Sequence, residues 1–157
     1  MKEKFSKKGF LLIELLVAIG IVTTALTALV QLEGSLLKVK RVGIDKIAAT
    51  YLAEEGLEVV RYVRDNAQDW TTFVNKCPSS CRRKVSSGDW DLDSTSGSES
   101  LGKFTRTIQL QAVKRTSGVI VTSGGTDDPN SKKIVVTVSW GIPTKSVVLE
   151  SYVMNLQ

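Results

Sequence analysis

The sequence predicts an α+β fold, one long N-terminal helix followed by a small antiparallel sheet. Three observations predict it. Apolar residues run almost unbroken from Phe10 to Leu32. Apolar positions then recur at three- and four-residue spacing to about Asn66, and the last third of the chain alternates apolar with polar residues. A chain of 157 residues has room for one core and not for two.

Charge and composition narrow the function classes. The chain carries net +5, but Met1–Gly9 holds Lys2, Lys4, Lys7 and Lys8 against Glu3 alone, so the remainder is only +2. Nucleic-acid binders draw their affinity from many clustered Lys and Arg contacts, and Arg82, Arg83 and Lys84 form the only run of three consecutive basic residues here; no direct nucleic-acid partner is expected. Histidine is absent, which removes the usual general base and the commonest metal ligand. Scattered Ser and Asp show no nucleophile–base spacing, so the sequence predicts no enzyme, no metal and no cofactor.

The first element is the run FLLIELLVAIGIVTTALTALVQL, residues 10–32. Its length matches the ~20 apolar residues that a helix needs to cross a bilayer. Lysines ahead of it put the N-terminus on the cytoplasmic side and send the rest of the chain across. A secretory signal would place its small-residue cleavage site after the apolar stretch. Here the small residue, Gly9, precedes it and follows Lys7 and Lys8, so a cut there leaves the apolar helix on the mature protein. Glu14 is the one charge inside the run. A carboxylate there costs about 2.5–3.5 kcal/mol on insertion scales and implies a cationic or donor partner. Gly20, Thr23 and Thr24 are small enough to allow close helix approach.

Residues 33–66 continue as the amphipathic half of the same helix. Ile44, Ile47, Ala48, Tyr51, Leu52, Val59, Tyr62 and Val63 are assigned to one apolar face, with Lys46, Glu54, Glu58 and Arg61 opposite. Glu58 to Arg61 and Arg61 to Asp65 are spaced for surface pairs. Residues 67–102 gather Asp, Ser, Gly and Cys and read as an irregular connector, anchored through Trp70, Phe73 and Trp90. Two cysteines cannot complete a four-ligand zinc site; Cys77 and Cys81 predict a disulfide loop in an oxidising compartment.

Residues 103–157 form the sheet. Strands are predicted through Phe104, Ile108 and Leu110, through Ile134, Val136, Val138 and Trp140, and over Val147 to Met154, with a fourth at Val119 to Thr122. Gly124, Gly125, Asp128 and Pro129 mark one turn, and Gly141, Ile142 and Pro143 another. Asp127, Asp128 and Asn130 are too few for the oxygen shell of calcium and read as turn chemistry.

Lys7, Lys8, Gly9, Phe10, three apolar residues and Glu14 together resemble the cleavage and methylation signature of type IV prepilins. That resemblance implies a leader at 1–9, cleavage between Gly9 and Phe10 by a prepilin peptidase, and N-methylation of Phe10. It also implies that Glu14 pairs with the free amine of Phe10 in a neighbouring subunit. The stretch Tyr51–Asn66, with the Trp140 strand and Val147–Asn155, is similar to minor pilins known as type IV pilus modification proteins. The implied partners are the peptidase, other pilin or pseudopilin subunits, the assembly machinery and the lipid bilayer. The precursor is expected to span the inner or plasma membrane once, with its head extracytoplasmic, before entering a pilus. A pseudopilin of type II secretion or DNA uptake, and a single-span tether carrying a binding domain, are the alternatives.

Overall fold

The structure is a computed structural model that describes the backbone from Lys7 to Asn155 and side chains from Leu12 to Asn155. The fold is α+β, as the patterning predicts. Helix α1 (Lys7–Asp65) is followed by α2 (Trp70–Asn75) and strands β1 (Arg82–Ser86), β2 (Asp89–Asp93), β3 (Glu99–Leu101), β4 (Phe104–Thr116), β5 (Val119–Val121), β6 (Thr126–Trp140) and β7 (Lys145–Met154). The chain divides into two units, one ending at Ile44 and one beginning at Asp45.

In the first unit every described side chain, from Leu12 to Ile44, is exposed. The hydroxyls inside its apolar run are satisfied locally. Thr23 and Thr24 donate to carbonyls one turn back, at 2.9 Å to Ile19 and 2.8 Å to Ile21. Thus polar side chains are carried on an apolar helix without orphaned donors.

The second unit is the head. Its main sheet runs β3-β4-β6-β7, with β5 also paired to β4, and every pairing is antiparallel. Ala49, Ala53, Leu57, Val59, Val60 and Val63 of α1 join Ile108, Leu110, Ile134, Val136, Val138 and Val153 of the sheet in one core. Full burial of each such Val or Ile contributes roughly 1.5–3 kcal/mol.

The buried stripe of α1 is made of smaller residues than the sequence assigned to it. Ile44, Ile47 and Tyr51 are 55%, 59% and 67% exposed, a correction to the expected face. Ala49, Ala53 and Gly56 replace them because only small side chains fit where the helix lies close to β6. A Cβ built on Gly56 would stand 2.9 Å from Val136 Cγ1 and 3.3 Å from the Arg106 Cδ. Alanine gains about 1 kcal/mol in helix propensity, whereas overpacking a buried β-branched neighbour costs about 1–3 kcal/mol. Gly56→Ala is therefore expected to lower head stability by about 1 kcal/mol in urea unfolding; a stabilised variant would show that Val136 yields freely.

The stretch expected to be an irregular connector is structured. Asp69 caps α2, accepting from the Thr72 N–H and the Thr72 hydroxyl, both at 2.8 Å. The Thr72 amide bond is the main reason its carboxyl titrates below the ordinary range. Strands β1 and β2 form a hairpin in a sheet of their own, turning at Ser87 and Gly88, both with positive φ (54 and 91). Such a two-residue turn follows the right-handed twist of its strands. Arg82 lies opposite Asp93 and Lys84 opposite Asp91, so charge pairing across the strands replaces the apolar alternation usually sought. Phe73 is buried, and the Trp70 indole N–H donates to the Pro129 carbonyl at 2.7 Å. Trp90 stands edge-on to Tyr62, with ring centroids 5.7 Å apart.

Cys77 and Cys81 are bridged, as predicted. Cys81 also exchanges backbone hydrogen bonds with Ile108, at 2.8 and 3.1 Å. The five-residue loop thereby joins the hairpin to β4.

The turn expected at Gly124 to Pro129 is shorter than predicted. Asp128 and Pro129 belong to β6, where the register with β4 slips between Ala112 and Val113. Proline lacks the N–H a ladder needs, and a bulge accommodates it. The Asp128 carboxylate accepts from the Asn130 N–H at 2.9 Å and from Arg115 Nε at 2.6 Å. Hydrogen bonds from the Ser131 hydroxyl, Arg115 and the Asn130 amide lower its pKa from 3.8 to about 2. The depressed folded-state value means that its stabilising contribution is full above 3.8 and disappears as pH falls towards 2. Unfolding midpoints measured from pH 5 to pH 2 are expected to fall less steeply in Asp128→Asn than in the parent; parallel curves would remove Asp128 from the acid sensitivity of the head.

Candidate functional site

The sequence points to the start of α1. Met1 to Ser6, the first part of the expected leader, lie outside the described residues. Lys7, Lys8, Gly9 and Phe10 occupy the first turns of α1, and their side chains also lie outside the described residues. Glu14 follows one turn after Phe10 on the same helix, exposed like its apolar neighbours. Among the described residues it has no hydrogen-bond or ion-pair partner. From Leu15 to Gln31 no charged residue follows it, so a complementary group within helical reach downstream is absent from the sequence.

The helix that bears Glu14 is long and apolar enough to cross a membrane, and its apolar window is unburied. Lipid or other apolar helices are the environments in which such a surface is stable. Cys77 and Cys81 belong to the head unit.

The head contains a charge cluster that sequence reasoning missed. Arg106, on β4, is 0% exposed. Its Nη1 donates to the Leu52 carbonyl at 2.8 Å and to Glu55 at 3.1 Å, while Nη2 donates to Glu99 at 2.5 Å. Arg83 also bridges Glu55 and Glu99, with 3.2 Å to the latter. Two arginines and two glutamates thus tie α1, β1, β3 and β4 together. Nε also donates to Glu99 at 3.2 Å, so each guanidinium nitrogen of Arg106 has an acceptor, as a buried guanidinium requires. The signal was present in the strand pattern, since Phe104, Arg106 and Ile108 share one parity and the outer two are apolar. A charge at an inward position demands partners.

The predicted surface pairs of α1 divide. Glu58 and Arg61 pair as expected, but Asp65 pairs with Arg64 at 2.6 Å instead of with Arg61. Arg61 also reaches the Ser151 hydroxyl at 3.1 Å.

Open clefts flank Trp70, one lined by Arg64, Asp69, Phe73 and Met154, the other by Asn75, Pro129, Asn130 and Lys132. Neither joins a nucleophile to a base. Among the described residues no group of three or more His, Cys, Asp or Glu side chains is placed to hold a metal ion. The carboxylate of Asp128, considered for calcium, is held by Arg115 instead.

No family model, curated protein or solved structure matches this chain.

Proposed function

We propose that the chain is the precursor of a type IV pilin-like subunit, a minor pilin that is cut between Gly9 and Phe10, N-methylated on Phe10, and assembled into a filament through α1. Its role is structural, and no reaction is catalysed. One observation carries the reading: Glu14 stands unpaired among the described residues on an apolar helix, five positions after a glycine that follows two lysines. An acidic group so placed is stable once it meets a cation, and the amine freed at Phe10 of another copy is a cation of the right reach.

The α+β head on an apolar helix supports the same reading, since it gives the filament a helix to pack and a domain to display. Apolar surface from Leu12 to Ile44 is then covered by neighbouring helices, and prepilin peptidase and the membrane assembly machinery are the implied partners. Mass spectrometry of the protein recovered from its own cells tests the proposal. The expected N-terminus is methylated Phe10. A chain that begins at Met1 would make α1 a permanent anchor, and the protein a tethered extracytoplasmic domain.

A further inference from the structure

Lys38, Lys40 and Arg41 place three cations within four residues, beginning six positions after the apolar run of α1 ends at Leu32. All three side chains are exposed, and none has an ion-pair partner among the described residues. Glu33 lies five and seven positions before the two lysines, outside the three- and four-residue spacings that meet on a helix. Asp45 is engaged by Lys103 Nζ at 2.5 Å.

A charge run on an ordinary helix is a solvated face. Position distinguishes this one, because the long stems of Lys and Arg just beyond a membrane span reach the headgroup layer. At 3.6 residues per turn the three side chains cover about 160° of the helix circumference. That arc is wide for one neighbouring helix and suits several small, mobile anions. We infer that Lys38, Lys40 and Arg41 bind the phosphates of anionic lipid headgroups in the leaflet where the C-terminal end of the span emerges, and so set the depth of the helix.

The inference rests on the membrane-spanning part of the function proposed above, not on filament assembly. It adds an asymmetry to that function. The leader and the Lys38–Arg41 run each carry net +3, so the precursor is held at both faces and the cleaved chain at one.

The full chain in nanodiscs of equal phosphatidylglycerol and phosphatidylcholine provides the test, with native mass spectrometry counting the lipids that stay bound. The parent is expected to retain phosphatidylglycerol preferentially, and K38Q/K40Q/R41Q to lose that preference, on the order of fivefold per cation removed. The head variant K114Q/K132Q should keep it. Three results overturn the inference: an unchanged preference in the triple variant, loss of the parent's preference in millimolar inorganic phosphate, or a parent without preference whose triple variant is excluded from filaments, which would make an acidic neighbouring subunit the partner. Failure of the parent to remain in the discs at all would instead overturn the membrane-spanning reading.

Discussion

Arg106→Ala is expected to destabilise the head by about 3–5 kcal/mol, the usual consequence of removing one partner from a buried ion pair. The magnitude follows from what is left behind. Glu99 is mostly buried and Glu55 partly so, with side-chain exposures of 15% and 31%. Both would retain only Arg83, and the Leu52 carbonyl would lose a donor. Against a typical total of about 5–15 kcal/mol, such a loss is a large fraction of the stability of a domain. Urea unfolding of the full chain in detergent is the measurement. Arg106→Met keeps much of the volume but not the charge and should be nearly as costly, whereas adding Glu99→Gln to it should recover part of the loss. A single-variant cost below about 1 kcal/mol would mean that solvent already screens the cluster.

Glu14→Ala is expected to reduce incorporation into filaments by at least tenfold while leaving membrane insertion and cleavage intact. Insertion should improve, because the charge it removes costs about 2.5–3.5 kcal/mol in an apolar environment. Assembly should fail, because a hydrogen bond to a charged group contributes about 1.5–3 kcal/mol and each 1.4 kcal/mol is a factor of ten. Opposite effects on the two steps separate a pairing role from a general defect. Filaments that contain the variant at parental levels would rule out the pairing. Glu14→Gln, which can still accept a hydrogen bond, should fall between.

These two residues also differ in how visibly the sequence marks them. Glu14 was conspicuous because its surroundings are uniformly apolar. Arg106 was overlooked because it sits in a strand whose threonines and glutamines make another polar residue unremarkable, although its parity places it inward with Phe104 and Ile108. The helix and the long strands were legible because their apolar residues are numerous enough to fix a period. Hairpin β1–β2 was not, since Leu92 is its single buried residue and its register is held by Arg82 against Asp93. In the same way Ile47 and Tyr51 were misplaced on α1 by size. Bulk usually signals burial, but the close approach at Gly56 reserves that face for alanine and glycine.

The head closes across long separations in the chain. Arg106 bonds to the Leu52 carbonyl 54 positions earlier, and Ser151 meets Arg61 across 90. During synthesis at about 5–20 residues per second, α1 therefore waits on the order of 5–20 s before the strand carrying Ser151 exists. For the larger part of that interval, until β4 and then β6 have been made, Val59, Val60 and Val63 have no paired sheet to lie against. Protection of a nascent helix by a holding chaperone, more than the intrinsic speed of folding, is then expected to limit the yield of this protein when it is overproduced.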